Sequence, residues 1–318
     1  MKKIISVILF NILAIIFIWF LSDCFLYTFS LLKNDKFSLL EYKNLYKSTS
    51  FKEGLEKFYS KEINSNNINK YRLRHPEGLQ YKSNPILLLG CSYAYGQDLE
   101  NTQTFGYKLS DITKRPVYNI SVPGTGFQHM YYITQNGIFD QKIPYCETVI
   151  WIIIGDNYRR MTGEGFFIAD NVNDLHYSFG NGVFKPDYDN AVSNFLNTNY
   201  TFRMVKKVYN RFYLSDKHNE DKITDEALSY FVQTRDNLEK IWNKEVKFVI
   251  FIYDIEHLSE KLIPKLKQNN FVVITTNDLT ASDLKQSAYT LPDGHPNEDA
   301  WNLLTPLFVK EMKSEQVL

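Results

Sequence analysis

The sequence predicts an α/β domain, and two patterns predict it: short continuous apolar runs of strand length, and stretches of helical spacing set between them. A strand covered on both faces of a parallel sheet has no solvent side, so it loses the apolar–polar alternation of a half-exposed strand. Residues 85–90, Pro-Ile-Leu-Leu-Leu-Gly, have that character. Helical spacing follows over 105–112, then a second strand over 116–120 that runs into the tight turn Pro123-Gly124-Thr125-Gly126. A helix is expected over 127–139, and 148–155, Thr-Val-Ile-Trp-Ile-Ile-Ile-Gly, is the strongest buried strand of the chain. The rhythm breaks over 166–201, where Asn, Asp, Gly and aromatic residues indicate an insertion with a hairpin around Gly180-Asn181-Gly182. It resumes with an amphipathic stretch at 223–242, a strand at 247–253, a helix at 258–266, a strand at 271–275 and a closing helix at 299–312.

Ahead of this domain, an almost unbroken apolar run from 4 to 21 is close to the ~20 residues that cross a bilayer as a helix. Lys2 and Lys3 precede the run and Asp23 follows it, so the positive-inside rule puts the remainder outside the cytoplasm, in the periplasm or at the cell surface. The run ends on the bulky Trp19-Phe20-Leu21 rather than a small-x-small cleavage site, which favours an uncleaved signal anchor. Cys24 is not read as a lipoprotein cysteine, because Asp23 stands where a small residue is needed. The expected organisation is an anchor over 1–33, a polar stalk and lead-in over 34–82, and one catalytic domain over 83–318.

Lys+Arg and Asp+Glu both number 36, so no global field draws the chain to nucleic acid. Three scattered cysteines, Cys24, Cys91 and Cys146, make no disulfide framework and no zinc motif. The histidines lack metal-ligand spacing, and Gly124-Thr125-Gly126 has neither the lysine of a P-loop nor a dinucleotide fingerprint, so neither metal nor cofactor is expected.

Four segments carry chemistry, and the first three follow predicted strands, where the loops of an open parallel sheet gather into a crevice. In Gly90-Cys91-Ser92-Tyr93-Ala94-Tyr95-Gly96, a serine after a buried strand can present its hydroxyl at the sheet edge beside free N–H groups. In Asn119-Ile120-Ser121-Val122-Pro123-Gly124, the Gly124 N–H can approach a substrate oxygen, and in Gly155-Asp156-Asn157 the Asn157 amide can donate to the same oxygen. Leu291-Pro292-Asp293-Gly294-His295-Pro296-Asn297 brings a histidine beside a carboxylate, the pairing that selects a tautomer and activates a serine. Taken singly, each segment also reads as ordinary turn chemistry, and Asp293 or Asn297 also as a cap of the final helix.

In order and content the four segments resemble the SGNH (GDSL-like) hydrolase family: Gly90, Ser92 and Gly96 match its nucleophile block, Gly124 its glycine block, Gly155 and Asn157 its Gly-x-Asn block, and Asp293 and His295 its terminal block. The resemblance spans residues 85–312 and implies a three-layer α/β/α flavodoxin-like domain. It implies Ser92 as nucleophile, His295 as base, Asp293 orienting His295, and an oxyanion held by the N–H groups of Ser92 and Gly124 and the amide of Asn157. Cys91 and Tyr158 stand where the family usually has Asp, and Asp293 lies two residues before His295 where many members have three. That closer spacing is similar to the alginate O-acetylation proteins, and it leaves Asp278, Asp283 or a Ser–His dyad as alternatives. The α/β-hydrolase elbow Gly-x-Ser-x-Gly fits less well, because its fifth position is Ala94.

These readings leave three functions: an esterase removing acyl, for example acetyl, groups from an extracytoplasmic glycan or other ester; a polysaccharide O-acyltransferase using the same acyl-enzyme with a membrane acyl-donor partner; and a non-catalytic glycan-binding or assembly protein. The aromatic-bearing insertion at 166–201 is the expected acceptor or glycan surface.

Overall fold

The computed structural model describes residues 17–19, 21, 84–137, 143–162, 177–180, 183–186, 220–256, 258–280 and 283–318. The predicted stalk, most of the predicted anchor and most of the insertion lie outside them. Residues 17–19 and 21 are helical, and no helix among the described residues is long and apolar enough to cross a membrane.

Five strands form one parallel sheet: β1 (Ile86–Gly90), β2 (Val117–Asn119), β3 (Thr148–Ile154), β6 (Lys247–Asp254) and β7 (Val272–Thr275). The spatial order is β2-β1-β3-β6-β7. Counting these five alone, this is the 2-1-3-4-5 arrangement of flavodoxin-like sheets, whose strand order reverses between the first and third strands. The apolar runs predict the strands to within a residue or two at each end, and β1 and β3 are buried along their whole length.

Pleating sends alternate side chains to opposite faces. Leu87, Leu89, Val149, Trp151, Ile153, Phe248 and Ile250 face a core shared with α3 (Phe127–Gln135), α4 (Gly155–Thr162), α5 (Glu220–Trp242) and α6 (Leu262–Gln268). Ile86, Leu88, Ile150, Ile152, Val249 and Phe251 face the second core, against α2 (Phe105–Thr113) and α8 (Glu298–Ser314). Phe127, Trp151 and Phe231 anchor the first core, and Phe105, Phe251, Trp301 and Phe308 the second. Helices therefore cover both faces, as the three-layer expectation required. The hairpin also forms, β4 (Tyr177–Gly180) pairing antiparallel with β5 (Val183–Pro186).

Several boundaries differ from the sequence reading. Gly155-Asp156-Asn157, read as a loop, is the first turn of α4, an eight-residue helix whose large apolar side chains are Tyr158 and Met161 alone, too few to set a readable period. The two one-turn helices α1 (Ser92–Tyr95) and α7 (Thr276–Leu279) are too short to carry periodicity. The helix expected over 127–139 stops at Gln135, before Gly137 turns to positive φ, and the one expected from 258 begins at Leu262.

Candidate active site

The site is assembled at the carboxyl ends of β1 and β3, on either side of the point where strand order reverses. Gly90 ends β1 at φ +148°, and a Cβ there would lie 2.7 Å from both the Ala94 Cβ and the Ile152 carbonyl, so only glycine allows the chain to turn this closely against β3. Cys91, fully buried, precedes Ser92, which opens α1 and is 4% exposed. Gly96 ends that turn in the left-handed region, its N–H returning to the carbonyl of Ser92.

On one side of Ser92 stands the loop before α8. Gly294 N donates to the Leu291 carbonyl at 2.9 Å, and Leu291 N to the His295 carbonyl at 2.7 Å. Proline second and glycine fourth suit such a turn, which leaves Asp293 and His295 on its outer limb. His295 Nδ1 lies 2.8 Å from Asp293 Oδ2, and the His295 N–H donates to Asp293 Oδ1 at 3.1 Å. His295 Nε2 lies 2.8 Å from Ser92 Oγ. An ionised carboxylate only accepts, so Nδ1 carries the proton and Nε2 offers its lone pair to the serine hydroxyl. Burial raises the Asp293 pKa, but the His295 backbone N–H and ring N–H, joined by the imidazolium charge when His295 is protonated, outweigh it and hold the carboxyl below its ordinary range.

The alternatives to Asp293 are occupied elsewhere. Asp278 Oδ2 accepts from the N–H and hydroxyl of Thr275, and Asp283 Oδ1 from Lys285 N. Asn297 caps α8, accepting from Ala300 N at 3.0 Å, and also holds the Ala288 carbonyl. Asp293 makes no cap; its hydrogen bonds go to His295.

On the other side of Ser92 stands the turn carrying Gly124. Thr125 Oγ donates to the Gly90 carbonyl at 3.3 Å and to the Val122 carbonyl at 2.7 Å, and Val122 N also reaches the Gly90 carbonyl, at 3.1 Å. The Thr125 carbonyl accepts from Asn157 Nδ2 at 2.6 Å and from Arg160 Nη1 at 3.0 Å. Asn157, 3% exposed, also accepts from Ile154 N through Oδ1. The turn that carries Gly124 is thus bonded to Gly90 at the end of β1, two residues before Ser92, and to Asn157. One amide hydrogen of Asn157 is committed to Thr125 and the second has no acceptor among the described residues. Nor do the N–H groups of Ser92 and Gly124 have one.

Further residues serve the site without having been assigned a role from the sequence. Asn119 donates to the Ala94 carbonyl at 2.7 Å and accepts from Ser121 N at 3.0 Å, bracing α1 from the end of β2. The spacing Asn119-x-Ser121 is the signal that marks such an Asx turn. Tyr93 packs its ring 5.2 Å from the His295 ring and 5.1 Å from that of Tyr253, and its hydroxyl donates to the Gly294 carbonyl at 3.3 Å. Burial pushes the Tyr93 phenol up, as do Cys91, Asp254 and Asp156, so it remains a neutral donor. Arg160 has no motif to announce it; its guanidinium is nearly buried.

A serine hydroxyl bonded to an imidazole that is itself oriented by a carboxylate, with uncommitted N–H donors on the opposite side, is an arrangement able to attack an acyl carbonyl and hold the resulting oxyanion.

No family model and no curated protein matches the chain. Among solved structures it is similar to a member of the lipolytic protein G-D-S-L family from Veillonella parvula DSM 2008, at 12% identity and a TM-score of 0.39, over 72% of this chain and 97% of that one. An acetyl xylan esterase from the rumen bacterium Butyrivibrio proteoclasticus is similar at 10% identity and 0.45, over 74% and 65%. A salicylyl-acyltransferase from a tetracycline biosynthetic pathway is similar at 14% and 0.35, over 74% and 57%. At these values the likeness carries no functional argument. The chain is similar to GDSL-type proteins and carbohydrate esterases, and what it can do is read from its own side chains.

Proposed function

We propose that this chain is an SGNH-type serine esterase acting through an acyl-enzyme, with Ser92 as nucleophile, His295 as base and Asp293 as the residue that orients it. The observation that carries the proposal is the unbroken chain Ser92 Oγ, His295 Nε2, His295 Nδ1, Asp293 Oδ2, with 2.8 Å at each of its two hydrogen bonds. Ser92 Oγ adds to the ester carbonyl carbon while its proton passes to His295 Nε2. The negative carbonyl oxygen is stabilised by the N–H groups of Ser92 and Gly124 and the second amide hydrogen of Asn157. As the carbon–oxygen bond to the alcohol breaks, Nε2 returns the proton to the departing oxygen. A water molecule then gives a proton to Nε2 and its oxygen to the acyl carbon, and Ser92 leaves as the free hydroxyl.

The apolar run over 4–21 supports an anchor that holds this domain outside the cytoplasm, where the natural ester is an acylated glycan. A second reading is favoured by the Asp-x-His spacing: the same acyl-enzyme transferred to a sugar hydroxyl, with a membrane partner supplying the acyl group. The full-length chain in detergent is expected to release p-nitrophenol from p-nitrophenyl acetate, and Ser92→Ala to lower the rate by about 10⁴-fold or more. Undiminished turnover by the variant would remove Ser92 from the mechanism. Acylated glycan formed in the presence of acceptor favours transfer, and acetate alone favours hydrolysis.

A further inference from the structure

We infer that the cavity beside His295 is the subsite for the alcohol half of the ester and recognises a hydroxyl-rich group, a sugar, rather than an acyl chain; this rests on the acyl-enzyme reading above. The cavity has a volume of about 640 Å³, within the ~300–1,000 Å³ of ligand pockets. Tyr93 and Gly294, the chain neighbours of Ser92 and His295, line it, whereas Gly124, Thr125 and Asn157 do not. Ser92 and His295 are not themselves among its lining residues; the cavity adjoins the histidine turn through Gly294 and through the Tyr93 ring, 5.2 Å from that of His295. His295 Nε2 delivers a proton to the departing alcohol oxygen, so the alcohol half must extend to the histidine side, opposite the oxyanion donors.

The walls select what can enter. Of the lining side chains only Ile255 and Leu284 are aliphatic. Asn277 is exposed and its amide has no hydrogen-bond partner among the described residues. Asp254 and Lys285 face each other at 3.6 Å in the same wall. An aliphatic chain would strip water from Asn277, Asp254 and Lys285 and return nothing, whereas sugar hydroxyls can donate to Asp254, accept from Lys285, and do both with the Asn277 amide. The Tyr93 and Tyr253 rings add apolar surface for the C–H face of a sugar.

The test has two arms, both on the full-length chain in detergent. In the first, kcat/KM is measured for acetylated xylo-oligosaccharide, p-nitrophenyl acetate and p-nitrophenyl octanoate. Asn277→Ala is expected to lower the sugar-ester to p-nitrophenyl acetate ratio about tenfold, roughly the worth of one hydrogen bond. An unchanged ratio, or octanoate preferred over the sugar ester, overturns the inference. The second arm is independent of turnover: saturation-transfer NMR of unacetylated xylo-, cello- and chito-oligosaccharides with Ser92→Ala. Binding that Asn277→Ala weakens in that background supports the subsite even if the enzyme hydrolyses none of the esters. No binding by any of the three sugars overturns it even if p-nitrophenyl acetate is turned over.

Discussion

The two sides of Ser92 are built differently. On the oxyanion side, Thr125 and Asn157 are 1% and 3% exposed and are bonded to each other and to the strand ends. On the histidine side, the His295 and Asp293 side chains are 18% and 37% exposed, on a turn held across the chain by Tyr93. The contrast fits the chemistry proposed for each. An oxyanion is stabilised best by donors that need not reorganise as charge develops. A proton shuttle must serve first the serine and then the leaving oxygen or water, and a solvent-facing turn permits that small adjustment. Activity and stability are therefore expected to separate across Ser92.

The largest effect that sharpens this contrast is on turnover by Asp293→Asn, expected to fall by about 10²–10⁴-fold, the upper end being the cost of a fully buried triad carboxylate. Its melting temperature should move little, because a partly exposed Asp–His contact contributes only ~0–1 kcal/mol. A large loss of stability with turnover intact would reverse the assignment. Asn157→Ala should lose on both counts: about 10²–10³ in kcat, and about 1–3 kcal/mol of stability from the buried partners it leaves unsatisfied. If denaturant unfolding finds Asn157→Ala as stable as the parent, the picture of a braced oxyanion side fails.

Protonation offers a smaller handle on the same difference. The Asp293 pKa is lowered on folding, so ionised Asp293 stabilises the fold above its unfolded-state pKa of ~3.9, and that contribution disappears as pH falls through the lower folded value. The gap in thermal stability between the parent and Asp293→Asn should therefore narrow below about pH 4. A gap that widens with acid would contradict the sign. Smallest is Asn297→Ala, which removes the α8 cap and should cost ~0.5–2 kcal/mol in stability. Turnover lost in proportion to Asp293→Asn would show that the cap also fixes the histidine turn.

Legibility followed local physics. Ile86, Leu87 and Leu88, and the run from Val149 to Ile154, announced buried parallel strands because a strand with both faces covered is apolar throughout. Ser92, Asp293 and His295 were legible because nucleophile, base and orienting carboxylate sit in short turn segments with glycine nearby. Asn119 lay inside a segment already singled out, yet its role depends on Ala94, twenty-five residues away, which no spacing encodes. Arg160 lies on a helix of eight residues whose large apolar side chains are Tyr158 and Met161 alone, too few to set a readable period.

Runs and spacings within about twenty residues are enough to predict the parallel α/β core and the residue types able to perform acyl transfer, and they leave the extracytoplasmic anchor as an expectation. Only the tertiary structure decided that Asp293 rather than Asp278 or Asp283 meets His295, that Thr125 joins the Gly124 turn to Asn157, and that Tyr253, Asn277 and Lys285 surround one cavity. Asp293 and His295 are two residues apart, and what the fold decided there is that the more distant carboxylates are engaged elsewhere; the other contacts join residues far apart in the chain, fixed by sheet order and loop packing, and no local pattern records them.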